Sequence, residues 1–435
     1  MSTDHDSRLW HPFADMGAVR RRELILDRGE DVWVWDSEGN RYLDGTASLW
    51  YANIGHGRGE VVDAVADQMR RLESYSIFGD FANAPALELA ERLAALAPME
   101  DARVFFGSGG GDGIDTAVKL ARRYFSELGE PERHHVISRM HGYHGTHGYG
   151  TALAGIEPNR AGFGPLHPEI TQVPHDSLDA LRAGFERVGP ERVSAVFVEP
   201  VIGAGGVYPP PDGYVEGVAA LCREYGALFV ADAVICGFGR LGSWFGVERF
   251  GVEPDLIVFA KGVTSGYQPL GGVVASGRVA EPFFAAPGGP VFRHGPTYSG
   301  HPAACAAGLA NMAIMEREGL VTRGQELEGE LLAALEPLAG HPAVSEVRGG
   351  CGMLAAVELT PEARAELPTA VPDVAAGARA EGVLIRPLPT AVATSPPLTA
   401  TPEHFKLIAD AMRAGLDRLG AGAESRTREG AAARP

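Results

Sequence analysis

The sequence predicts an α/β protein, with a large domain on a mostly parallel sheet and a smaller α+β domain beside it. Three observations carry this. Through residues 60–295, short apolar runs alternate with stretches whose apolar residues recur at helical spacing. The runs are continuously apolar rather than alternating, as in strands covered on both faces by helices. Beyond residue 295 the order changes to long helices, then strands, as in an α+β unit.

Taken in order, residues 32–43 (VWVWDSEGNRYL) alternate apolar and polar around Ser-Glu-Gly-Asn and read as a hairpin. Helical spacing marks 60–72 and 85–96. A strand at 104–106 is followed by a glycine run and an amphipathic helix over 112–125. Further strands are expected at 194–198, 227–231 and 256–259. Helices follow over 302–318 and on to about 338, then the strand-like VSEVRGG and GMLAAVEL, a helix, and a strand in GVLIRPL. The expected division is an N-terminal segment 1–59 contributing to the small domain, a large domain 60–295 and a small domain 296–419. Residues 420–435 lack periodicity and are expected to form a disordered tail.

Composition narrows the function. The 435 residues carry 38 Lys plus Arg against 56 Asp plus Glu, a net charge of -18, which disfavours nucleic acid and anionic membranes. The four cysteines are far apart, without metal-ligand or disulfide-framework spacing, and fit a reducing cytosol. No 18-residue apolar stretch and no signal-like N-terminus is present, so a soluble cytoplasmic protein is expected.

Several residue groups could carry chemistry. Gly107-Ser108-Gly109-Gly110-Gly111-Asp112-Gly113 lies between a strand and a helix, where free N–H groups and the helix dipole can hold a phosphate. It matches neither GxGxxG nor the Walker pattern, and a plain turn is equally admissible on this evidence alone. Asp232 and Lys261 each follow a predicted strand, the end at which α/β sheets bind ligands. A lysine desolvated there can attack a carbonyl as a neutral amine, although solvated surface charge is the commoner fate of strand-end residues. His141, His144 and His147 suggest metal by their spacing, but glycines break the segment and no fourth ligand is near, so no metal is assigned. Tyr143 in that loop offers an aromatic face for a planar cofactor.

In order along the chain, Trp10-His11-Pro12-Phe13, RYLDGTASLWYANIGHG, GYHG, VFVEPVIGAGGVYPPPDGY, ALFVADAVICGFGRLG, PDLIVFAKGVTSGYQPLGGVV and HGPTYSGHPAACAAGLA are similar to the motifs of class III aminotransferases. These are pyridoxal-phosphate enzymes of fold type I, and the resemblance runs from about residue 10 to about 418. It implies that Lys261 holds pyridoxal 5'-phosphate as a Schiff base and carries the proton, and that Asp232 keeps the ring nitrogen protonated. It further implies that Tyr143 and Val234 sandwich the ring. The backbone at Gly110 and Gly111 would bind the phosphate, joined by Thr297 from the other subunit of a homodimer, or of a tetramer built from it.

The chain departs from the family pattern twice. Ser-Gly-Ser-Glu-Ala-Asn is replaced by Gly109-Gly110-Gly111-Asp112-Gly113-Ile114, which removes a hydroxyl that could bond the phosphate, and Asp-Glu-Val is replaced by Asp232-Ala233-Val234. EPVIGAGGVYPPP resembles the ω-amino acid and amine:pyruvate subgroup, as do Trp50 as a pocket aromatic and Arg386 as a mobile carboxylate-binding arginine. The expected activity is amino transfer from an ω-amino acid or primary amine to a 2-oxo acid such as pyruvate by a ping-pong route. The same residues would also serve an aminomutase, epimerase or decarboxylase relative, or a coenzyme-binding protein of weak activity.

Overall fold

In the computed structural model, residues 7–20 and 23–432 are described, with side chains to 419. Three sheets organise the chain. At the N-terminus, β1 (Leu26–Glu30), β2 (Trp33–Asp36) and β3 (Arg41–Asp44) form an antiparallel meander. Its predicted hairpin is pinned by Asp36, whose carboxylate accepts from the N–H groups of Glu38 and Asn40 and from the Asn40 side chain, replacing water at the turn.

The central sheet has seven strands: β4 (Arg103–Gly107), β5 (His135–Arg139), β6 (Ile170–Val173), β7 (Val193–Val198), β8 (Leu228–Asp232), β9 (Leu256–Phe259) and β10 (Gly271–Ala275). Their order is β4-β10-β9-β8-β7-β5-β6. Only β10 runs against its neighbours. Strands β5, β7, β8, β9 and β10 are buried at every position, so protein covers both faces, and runs such as β9 are apolar throughout rather than alternating. The predicted strands stand within about a residue of where they were expected, and β8 includes Asp232.

The helix expected over 112–125 begins earlier, spanning Gly110–Glu127, so Gly110 and Gly111 are its first turn rather than a loop. Glycine is a poor helix former because of its backbone entropy, yet the first turn uses no intrahelical N–H bonds and tolerates it best.

The C-terminal part forms a third sheet from β11 (Val344–Arg348), β12 (Ala355–Leu359), β14 (Arg386–Pro387) and β15 (Ala391–Thr394) in the order β11-β12-β15-β14. The single strand expected in GVLIRPL is broken. Its first half, β13 (Val383–Leu384), pairs in parallel with β3 of the N-terminal sheet, and its second half, β14, pairs with β15. Pro387 lacks an N–H and is tolerated because β14 is an edge strand. The final helix runs Pro402–Ala432 and so continues through most of the segment expected to be a disordered tail, where Ala, Glu and Arg are good helix formers. Residues 433–435 of that expected tail lie outside the described residues. No helix among the described residues is long and apolar enough to cross a membrane.

Candidate active site

The carboxyl ends of the co-directional strands converge on a cavity of about 720 Å³. Three adjacent strands each deliver one ionisable group. Glu199 follows β7, Asp232 ends β8, and Lys261 stands one residue beyond the residue after β9. The loop after β5 adds Tyr143, His144 and His147, and the turn after β4 opens the helix at Gly110. The cavity is lined by Gly110, Gly111, Tyr143, Asp232, Val234, Lys261, Trp50 and Arg386, which brings every predicted site residue together except Thr297. Thr297 is exposed and outside the cavity, beside Tyr298, which is 65% exposed.

Lys261 takes a left-handed backbone with φ 51°, strained for a residue with a Cβ. The turn is held from outside: Asn311 Nδ2 donates to the carbonyls of Gly262 and Val263 at 2.9 and 3.0 Å. Burial pushes the Lys261 ammonium below the ordinary lysine range, opposed by the nearby carboxylates of Asp232 and Glu199. Among the described residues, none accepts a hydrogen bond from its Nζ.

Asp232 is fixed on both oxygens. Val234 N donates to Oδ1 at 3.1 Å, and His144 Nδ1 lies 2.7 Å from Oδ2 with the histidine side chain 1% exposed. Glu199 accepts from the N–H groups of Tyr143 at 2.9 Å and Gly203 at 3.0 Å, and so sets the loop that carries Tyr143. Burial raises the Glu199 carboxyl above the ordinary range. His141, by contrast, packs on His175 and Tyr208, so the three regularly spaced histidines have three different surroundings.

At the helix start, Gly109 is an N-cap without a side-chain bond. The first intrahelical bond is from Gly113 to Gly109, and among the described residues nothing accepts from the N–H groups of Gly110 or Gly111. A Cβ on Gly110 would lie 3.0 Å from Val234, so glycine lets the helix end approach the strand-end loop. The result is a set of open donors at the positive end of an 18-residue helix. Across the cavity, the Arg386 guanidinium has no ion-pair or hydrogen-bond partner among the described residues, and burial lowers its pKa.

A family model for aminotransferase class-III matches residues 16–416. The chain belongs to the class-III aminotransferases. This aminotransferase is 42% identical over 358 residues to a probable aminotransferase of Mycobacterium tuberculosis, covering 78% of this chain and 76% of that one. It is 36% identical to a putrescine–pyruvate aminotransferase of Pseudomonas aeruginosa, with 94% of each chain covered. Among solved structures, an amine transaminase from an uncultivated Pseudomonas species, in its PLP-bound form, superposes with a TM-score of 0.90 at 35% identity, covering 95% of this chain and 99% of that one.

Class-III aminotransferases depend on pyridoxal phosphate, and the residues of this aminotransferase fit it. The open helix start suits a phosphate, the anchored Asp232 a ring nitrogen, and the desolvated Lys261 an aldehyde. Sequence reading had not singled out His144 or Glu199 as site residues. Both lie in motifs it used, GYHG and VFVEP, but their partners are 88 and 56 residues away in sequence.

Proposed function

We propose that this enzyme moves an amino group from a primary amine or ω-amino acid to a 2-oxo acid such as pyruvate, as a cytosolic homodimer. Pyridoxal phosphate, when bound, supplies the aldehyde that takes up the amino group and an electron-withdrawing ring. Lys261 Nζ, whose ammonium burial disfavours, would bind that aldehyde and, once released by the incoming amine, would move the proton on and off the amine-bearing carbon. Asp232 would hold a proton at the ring nitrogen, with buried His144 keeping its carboxylate aimed. Tyr143 and Val234 would pack on the ring, the Gly110 and Gly111 N–H groups would take the phosphate, and Trp50 would wall the substrate side.

The observation that carries the reading is the pairing of an unpartnered lysine amine with an unpartnered, desolvated arginine across one cavity. The first suits a carbonyl and the second a carboxylate. The putrescine–pyruvate relative and the amine transaminase structure support the choice of substrates. Exposure of Thr297 away from the cavity supports its acting in a neighbouring subunit's site, and the four buried, unpaired cysteines suit a reducing compartment. The test is a donor and acceptor panel on coenzyme-loaded protein. A donor alone should convert the coenzyme to its pyridoxamine absorbance without turnover, and turnover should need an acceptor. Steady turnover of an amine with no acceptor would favour a different reaction.

A further inference from the structure

The phosphate end of the cavity is where this chain departs from its family pattern, and the structure shows what occupies the space. A Cβ built on Gly111 would meet three atoms of the His147 ring, each at 3.1 Å. The imidazole therefore packs against the position of a side chain at 111, closer than an ordinary contact, so that a serine there would crowd the ring. The loop that carries it packs directly on the helix: Gly145, at φ +87°, leaves only 3.3 Å between its own Cβ position and the Gly111 Cα. His147 lines the same cavity as Gly110 and Gly111. Its Nδ1 lies 3.6 Å from Asp112 Oδ1, within ion-pairing range, while Asp112 Oδ2 accepts from Ser108 N at 2.7 Å.

We propose that His147 replaces the missing serine hydroxyl as a ligand of the coenzyme phosphate, and that Gly111 is glycine to make room for it. The proposal rests on the reading of this cavity as the coenzyme site. An imidazole has two ring nitrogens, and one that carries a proton toward the phosphate is a hydrogen-bond donor to it. Such a donor supplies the bond to the phosphate oxyanion that the missing hydroxyl would have made, beside the helix N-terminus.

Gly111 and His147 thus form an exchangeable pair, and the experiment exploits that. Coenzyme-free protein is titrated with pyridoxal 5'-phosphate and, separately, with pyridoxal, which lacks the phosphate, following absorbance. His147→Ala should weaken pyridoxal 5'-phosphate binding roughly 10- to 100-fold and leave pyridoxal binding unchanged. Adding Gly111→Ser to His147→Ala should restore affinity to within a few-fold, whereas Gly111→Ser alone should gain nothing because the ring fills the space. His147→Gln, which keeps a donor, should retain most of the affinity and guards against a folding defect in the alanine variant. Unchanged pyridoxal 5'-phosphate affinity in His147→Ala, or an equal loss for both ligands, would overturn the proposal. Wild-type protein that binds neither ligand would instead overturn the coenzyme reading itself.

Discussion

Lys261 is one of only three lysines in the chain, and Lys119 and Lys406 are both exposed. Its chemistry is therefore separable from theirs. Burial disfavours the ammonium, so the free amine persists to lower pH than at a solvated lysine. In coenzyme-free protein, acylation of Lys261 by a small reagent should show its inflection at lower pH than that of Lys119 or Lys406. Peptide mass spectrometry across a pH series measures all three at once, and a common inflection would contradict the desolvated site. The Arg386 side chain makes a second residue-scale prediction. Removing a charge-assisted partner in a half-buried pocket should lower the specificity constant for pyruvate in Arg386→Ala by roughly 30- to 1000-fold, with little loss for an uncharged amine donor. Half-reaction rates decide it, since equal losses would make Arg386 structural. At this scale Lys261 and Asp232 were legible because strand-end position and motif agree. His144 was not, because burial against Asp232 is a tertiary fact that no local spacing encodes.

The helix Gly110–Glu127 shows how an element can be set by close approach rather than propensity. Gly113 faces the sheet so tightly that a Cβ would lie 2.7 Å from Val258 Cγ1 and 2.8 Å from the Gly272 carbonyl oxygen. Alanine would raise helix propensity by about 1 kcal/mol, but overpacking against a backbone oxygen costs about 1 to 3 kcal/mol. Gly113→Ala should accordingly lower the thermal midpoint, and an unchanged or raised midpoint would show that the helix can shift outward freely. The elements most visible in the sequence were those with uniform patterns, such as β9, which is apolar throughout. Strand β5 was missed because it buries His135, Ser138 and Arg139, each satisfied by a distant partner: Glu169 and Thr171 for His135, the Leu153 carbonyl for Ser138, the Glu199 carbonyl for Arg139. Such polar residues hide a buried strand from any hydrophobic pattern. The break in GVLIRPL was hidden for a different reason, since a change of sheet partner leaves no mark on composition.

At the scale of the molecule, the chain ends are woven together. Asn53 and the carbonyls of Met353 and Pro396 all bond the guanidinium of Arg240, which is fully buried and has its pKa pushed down to about 9 by that burial. One side chain thus ties the strand-end loop after Asp232 to segments from both ends of the sequence. The proposed homodimer adds a further level of sharing. If Thr297 serves the opposite subunit, mixing Lys261→Ala with Thr297→Ala protein should recover activity that neither variant has, because one of the two mixed sites carries both native residues. Random re-association at equal amounts gives roughly a quarter of the wild-type sites. Absence of recovery in verified mixed dimers would place Thr297 outside any shared site.

The divided strand around Arg386 has a consequence for how its side chain moves. Leu384 is paired to the N-terminal sheet and Pro387 to the C-terminal sheet, while Ile385 and Leu388 are each only 8% exposed. The backbone on both sides of the arginine is therefore clamped, and withdrawal of the guanidinium is confined to its own side-chain torsions. Side-chain rotations of that kind need no loop or domain closure. On the proposed reading, alternation between acid and amine needs no rearrangement of the backbone around Arg386.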